Sequence, residues 1–278
     1  MKLIRHGASG CEKPGAIDSQ GQARDLSDLV PDFTPEWMAP GRLAALAAVD
    51  LQRLPLVAHG SRLGPPVAGT RQFVAIGLNY RRHAEESGLD IPKEPVVFHK
   101  ALSSLAGPDD EVRLPEASVA TDWEIELGFV IGTRASCIPV EGALAHVAGY
   151  LLANDISERD WQIKRNGQWG KGKSFDGFGP VGPWLVTADE LPDPQAIELT
   201  LSVNGEVMQR SSTADMIFPV ACLVSYLSQF MTLLPGDLVI TGTPAGVGLG
   251  MKPPRFLKSG DVMTLDGGVL GRQLQRVR

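Results

Sequence analysis

Short apolar runs punctuated by glycine, proline and aspartate recur along this chain, and each reads as a strand between turns. The pattern predicts strands over Phe73–Leu78, Pro95–Phe98, Trp123–Ile131, Ala148–Ala153, Pro183–Thr187, Glu198–Val203, Leu238–Thr241 and Val262–Leu265. The first segment adds three short ones, Lys2–Arg5, Gly15–Asp18 and Gln22–Leu26, with Ser19-Gln20-Gly21 turning between the last two. Helical periodicity is rarer. It covers Pro35–Ala48, with Thr34 as N-cap and Pro35 at the first helical position, a stretch after Tyr80, Glu141–His146 and Pro219–Met231. Strands this numerous with so few helices between them do not build regular βαβ units, so the pattern predicts a mainly β, α+β fold with antiparallel or mixed sheets. Pro55, Gly60, Gly64, Pro65 and Pro66 crowd one stretch. They place a boundary near 60–70, between a small N-terminal α/β domain (1–68) and a larger one (69–278).

One strand carries chemistry. In Thr121-Asp122-Trp123-Glu124-Ile125-Glu126-Leu127-Gly128-Phe129, alternation puts Trp123, Ile125, Leu127 and Phe129 on one face and Asp122, Glu124 and Glu126 on the other. A solvated polar face is one reading. Three acids with no interleaved Lys or Arg repel one another, and a bound cation would remove that repulsion. About 30 residues on, the apolar run Tyr150-Leu151-Leu152-Ala153 ends at Asn154-Asp155, which sets a carboxylate at a strand terminus. By itself this is a common turn or cap. Together Glu124, Glu126 and Asp155 form an oxygen-only set, which selects hard cations (Mg²⁺, Mn²⁺ or Ca²⁺) over zinc.

Composition narrows the function classes. The 278 residues are 43% hydrophobic and carry a formal net charge of −6, with no Lys/Arg cluster, so the basic footprint of a nucleic-acid binder is missing. Three unpatterned cysteines argue against a disulfide framework and fit a reducing cytosol. Neither a signal peptide nor an apolar run of membrane-spanning length is evident, so a cytoplasmic location is expected.

At this point the blocks Gly77-Leu78-Asn79-Tyr80 leading to His83, Glu124-Ile125-Glu126-Leu127, Gly149 through Gln162, Gly172-Lys173-Ser174-Phe175-Asp176 and Thr241-Gly242-Thr243-Pro244-Ala245-Gly246-Val247-Gly248 stand in an informative order. Over about residues 73–266 the chain resembles the fumarylacetoacetate hydrolase family, nearest to its small bacterial acylpyruvase-like and diketo-deoxy sugar acid hydrolase members. The resemblance implies a flattened β-roll of mixed sheets behind a small N-terminal domain, and a homodimer. It implies that Glu124, Glu126 and Asp155 bind Mg²⁺ or Mn²⁺, and that Arg159, Gln162, Thr243 and Lys100 contact a small 2-oxo acid. Lys173 is implied as a catalytic group. So are His83 and Glu86, which share a helical face at i,i+3 and match a water-activating pair on a closing segment. The other four histidines have no such partner. Two departures stand out: Ala101 follows Phe98-His99-Lys100 where the family has proline, and Trp123 stands where tyrosine is common.

The Gly-rich stretch 241–248 lacks the Gly-Lys-Ser/Thr ending of a phosphate loop, and Pro244 removes a backbone donor. A tight turn beside a small ligand is expected there. The chemistry expected is hydrolysis of the C3–C4 bond of a 2,4-dioxo acid through a pyruvate enolate. The same enolate serves an isomerase or an oxaloacetate-type decarboxylase, and a non-catalytic acid-binding protein is the rival of another class. The segment Tyr80–Pro95, anchored in apolar terms by Leu89 and Ile91, is expected at the low-stability end of the molecule.

Overall fold

The computed structural model describes every residue of the chain except Leu89 and Ala117. Its centre is a ten-stranded mixed sheet. In spatial order the strands are Ala23–Asp25, Lys13–Ile17, Lys2–His6, Leu185–Thr187, Val147–Asn154, Ile125–Ile131, Leu238–Ile240, Phe73–Gly77 and Val96–His99, with Leu63–Gly64 paired to Lys2–His6. Leu238–Ile240 runs parallel to Phe73–Gly77, and its other neighbour, Ile125–Ile131, is antiparallel. A second, antiparallel sheet of four strands is ordered Glu206–Ser212, Glu198–Val203, Val262–Asp266, Arg272–Arg276. This is the mixed, sheet-dominated architecture that the strand pattern predicts.

The large sheet is buried on both faces, which is why its central strands read as continuous apolar runs. One face (Ile76, Leu127, Phe129, Leu152, Val239) packs against the small sheet through Leu199, Leu201 and Leu265, and against the helix Val220–Phe230 through Leu223 and Leu227. The other face (Leu3, Phe73, Val130, Leu151, Ile240) is covered by Leu26, Phe33, Leu43 and Leu46. The first 68 residues thus share a core with the rest of the chain. They also continue its sheet, through the pairing of Lys2–His6 with Leu185–Thr187.

Three sequence expectations change. The helix over 35–48 is two pieces, Pro35–Met38 and Pro40–Ala47, because Pro40 holds Ala39 extended at ψ 134° and restarts the helix. Thr34 caps neither piece; its hydroxyl donates to Glu36 Oε2 at 2.6 Å. The acid-bearing strand is interrupted: Thr121–Asp122 pairs separately, Trp123 and Glu124 lie between, and the long strand begins at Ile125. Two strands escape the apolar pattern, Glu206–Ser212 and Arg272–Arg276, because glutamine fills their inward positions: Gln209, Gln273 and Gln275 are all buried. Among the described residues no helix is long and apolar enough to cross a membrane.

Gly149 lies one strand in from the pairing with Lys2–His6, against Leu185–Thr187, where an added Cβ would sit 2.3 Å from the backbone oxygen of Val186. The two strands would have to part. Gly149→Ala is expected to lower stability in urea unfolding by about 1–3 kcal/mol, the usual range for overpacking; an unchanged midpoint would contradict that close contact.

Candidate active site

Strand register assembles the acids. Ala153 pairs with Glu126 and Asn154 with Ile125. The next residue, Asp155, therefore lies against Glu124, and its N–H donates to the Glu124 backbone oxygen at 2.9 Å. The buried Asn154 holds the same corner, its Oδ1 accepting from the Glu124 N–H at 3.1 Å. Glu124, Glu126 and Asp155 are all buried, and each brings a carboxylate oxygen to within 4.8 Å of the others.

Three cations are buried with them. Lys173 Nζ lies 2.7 Å from Glu124 Oε2 and 2.6 Å from Asp155 Oδ2. Arg159 reaches Glu124 Oε1 at 2.6 Å, and Lys100 reaches Asp155 Oδ1 at 2.6 Å. Burial by itself would raise the Glu124 carboxyl, but Lys173 and Arg159 outweigh it and bring the pKa down to about 2. Glu126 has no such partner. Burial pushes it well above the usual carboxylate range, and Asp155 and Glu124 push the same way. Its Oε2 accepts from the Gly242 N–H at 2.7 Å, while its Oε1 is buried without a hydrogen bond. A buried carboxylate oxygen without a partner, beside two further buried acids, is what a divalent-cation ligand presents when considered apart from its metal. The donor set is oxygen only and fits a hard cation.

A cavity of about 570 Å³ opens onto Glu124 and Lys173 and is also lined by Arg159, Gln162, Thr243, His83 and Glu86. Gln162 stands on the π-helical turn Asp160–Lys164, and Lys173 on the short helix Gly170–Lys173. Gly172 lets the two meet, since a Cβ there would lie 2.4 Å from the Glu158 oxygen and 2.5 Å from the Gln162 nitrogen. Arg159 donates to Gln162 Oε1 at 2.9 Å, which leaves the Gln162 NH₂ to face the cavity.

His83 and Glu86 sit on the helix Arg81–Ser87, which ends at Gly88 with φ +65°. His83 Nδ1 meets Glu86 Oε2 at 3.2 Å, so Nε2 is the nitrogen left to take a proton. Glu86 also accepts from the Gly246 N–H at 3.0 Å, which docks the helix onto the Gly-rich loop. The anchors differ from those expected. Tyr80 and Ala84 are buried, Ile91 is 49% exposed, and Leu89 lies outside the described residues.

Three further placements were not legible in sequence. Lys100 lies behind Asp155, off the cavity wall, also bonding the Lys173 backbone oxygen. The Thr243 hydroxyl donates to the Ile125 oxygen at 2.9 Å and accepts from Gln209 at 2.8 Å, so it ties the loop to the acid strand. Asp122 shares the acids' sequence spacing, yet its two oxygens are filled. They accept from Trp123 N–H (2.8 Å), Gly248 N–H (2.7 Å), Leu249 N–H (2.9 Å) and Arg159 Nε (2.8 Å). It joins Arg159 to the loop on which Glu86 docks.

Comparison with known proteins bears on this geometry. The family model for the fumarylacetoacetate (FAA) hydrolase C-terminal region matches residues 72–278. The chain belongs to that family. A protein of Burkholderia orbicola, provisionally named a hydrolase, is 54% identical over 279 residues, covering 100% of this chain and 99% of its own. The structure of 5-carboxymethyl-2-hydroxymuconate delta-isomerase from Mycobacterium smegmatis superposes with a TM-score of 0.77 at 31% identity, covering 100% of this chain and 98% of its own. Fumarylpyruvate hydrolase from Pseudomonas aeruginosa, solved with Mn²⁺ and pyruvate, gives 0.69 at 35% identity over 80% of this chain and 98% of its own. The family therefore holds both hydrolases and isomerases on this fold, and one neighbour carries a divalent metal.

Two outcomes follow from the wiring. Mn²⁺ at a hundred times its Kd should stabilise the protein by about 2.7 kcal/mol, read as a rise in Tm, and Glu126→Gln should abolish that rise. Asp122→Asn leaves buried donors unpaired, so it should lower kcat/KM by about ten- to a hundredfold with the Mn²⁺ affinity kept. Loss of Mn²⁺ binding in that variant would make Asp122 part of the metal site instead.

Proposed function

We propose that this protein hydrolyses the C3–C4 bond of a 2,4-dioxo acid, with Mg²⁺ or Mn²⁺ held by Glu124, Glu126 and Asp155. The observation that carries the reading is the His83–Glu86 pair on the cavity wall, with Nδ1 engaged and Nε2 left as the base. Among the reactions open to such a site, hydrolysis needs an activated water, whereas isomerisation and decarboxylation do not. When bound, a divalent cation polarises the carboxylate and 2-oxo oxygens of the acid.

The chain's own residues supply the rest. His83 Nε2 takes a proton from water as its oxygen adds to C4, and Glu86 holds the imidazole and steadies the imidazolium. Collapse at C4 breaks the C3–C4 bond and leaves a carboxylic acid, with the electron pair delocalised from C3 onto the 2-oxo oxygen. The imidazolium returns its proton to C3, which gives pyruvate and restores the base. Lys173, whose pKa is raised by Asp155 and Glu124 against the opposing effect of burial, stays charged and offers its third hydrogen to developing negative charge. The free NH₂ of Gln162 orients the substrate. Arg159 is held by Asp122 and Glu124, so it shapes the floor of the site.

The test separates water activation from carbon–carbon cleavage in general. With Mn²⁺ present, His83→Ala should lower pyruvate release from acetylpyruvate by about a hundred- to ten-thousandfold, and spare any decarboxylation of oxaloacetate. Equal loss of both would remove His83 from water activation. Conversion of an enol tautomer by the unaltered protein without cleavage of any 2,4-dioxo acid would assign it to the isomerases.

A further inference from the structure

The cavity reaches beyond the groups that the reaction uses. At about 570 Å³ it lies within the range that encloses ligands far larger than pyruvate. Away from the acids its wall is formed by Phe98, Ile163, Trp169, Leu249, Met251 and Pro254. Trp169, half-buried, is held by two neighbours. A Cβ on Gly77 would lie 2.2 Å from the Trp169 Cζ3, so the indole rests directly on that glycine. It also meets Phe98 in an edge arrangement, with ring centroids 5.6 Å apart. Trp169 also immediately precedes Gly170–Lys173, so the plate and the Lys173 ammonium are held in one register.

Such a wall discriminates by what it lacks. A polyhydroxylated chain placed along it would leave most of its hydroxyls without partners, which disfavours its binding. A distal carboxylate would look for a cation. Lys252 is the wall residue that offers one, and it is exposed at the rim, where hydration and screening leave an ion pair worth little. An apolar ring would replace water on Trp169 and Phe98 and stack favourably.

We propose that the acyl group beyond C4 of the substrate is apolar and ring-sized, and that Trp169, seated between Gly77 and Phe98, is the residue that selects it. The proposal deepens the preceding reading and rests on it for the position of the 2-oxo acid end. It separates this protein from members that take sugar-derived or dicarboxylic substrates.

The test uses 2-oxo acids without a 4-oxo group, which bind but offer no bond to hydrolyse. Calorimetry on the Mn²⁺-loaded protein compares 2-oxo-4-phenylbutanoate, 2-oxoglutarate and 2-oxobutanoate. The phenyl compound should bind at least about tenfold tighter than the other two, the discrimination usual for an apolar pocket. Trp169→Ala should bring its Kd close to that of 2-oxobutanoate without changing the latter, and Lys252→Ala should leave the order intact. Tightest binding of 2-oxoglutarate, or an equal loss for all three ligands in Trp169→Ala, overturns the proposal. The ranking in the unaltered protein stands even if the variant fails to fold. Pyruvate release from 2,4-dioxo-4-phenylbutanoate separates the two readings. No release with the ranking intact refutes hydrolysis and keeps the selection by Trp169. Release from acetylpyruvate with the ranking reversed does the opposite.

Discussion

The structure depends on keeping like charges together in a dry interior. Glu124, Glu126, Asp155 and Asp122 are all buried, against three buried cations, Lys100, Arg159 and Lys173. Isolated charges at such depth would be prohibitively unfavourable, so each ionised acid is paired at 2.6–2.8 Å. Glu126 is the exception. Burial and the neighbouring Asp155 and Glu124 push its carboxyl well above the usual carboxylate range, and one of its oxygens has no hydrogen-bond partner. Buried ion pairs of this kind contribute little net stability over an apolar core, so the reason for the arrangement lies in the site.

The loop 241–250 spreads that constraint outward. Gly242 donates to Glu126, Thr243 ties the loop to Ile125, Gly246 receives Glu86, and Gly248 and Leu249 donate to Asp122. Gly242 and Gly246 have φ of +95° and +104°, and a Cβ at Gly246 would lie 2.0 Å from the Met208 oxygen. The glycines permit backbone N–H groups to approach carboxylates closely, and no phosphate is needed to explain them. The clustered acids, Arg159 and the helix carrying His83 are thereby linked through one short stretch of backbone. Glu86 and Asp122 thus hold the helix and Arg159 to the same loop.

The apolar half of the cavity obeys a different constraint. Nothing there is held by charge; Trp169 keeps its place by steric fit against Gly77 and Phe98. Chemistry at the acid end and selection at the far end are therefore separable in principle, which suits a fold that hosts both hydrolases and isomerases.

Sequence alone determined the strand-rich fold, the three clustered acids, the His83–Glu86 pair and the family, because each rests on local spacing: two-residue alternation, an i,i+3 interval, short ordered blocks. It could not separate Asp122 from Glu124 and Glu126, since all three share one alternation. Only the break in the strand after Asp122 turns that side chain away, toward Arg159 and the loop. Lys100 likewise looked like a substrate contact, and only packing places it behind Asp155. The strands Glu206–Ser212 and Arg272–Arg276 were hidden because glutamines stand among their inward residues, and these are satisfied by hydrogen bonds with segments up to 167 residues away. Local pattern reports what a residue prefers; which charges face one another is decided by register and by contacts distant in sequence.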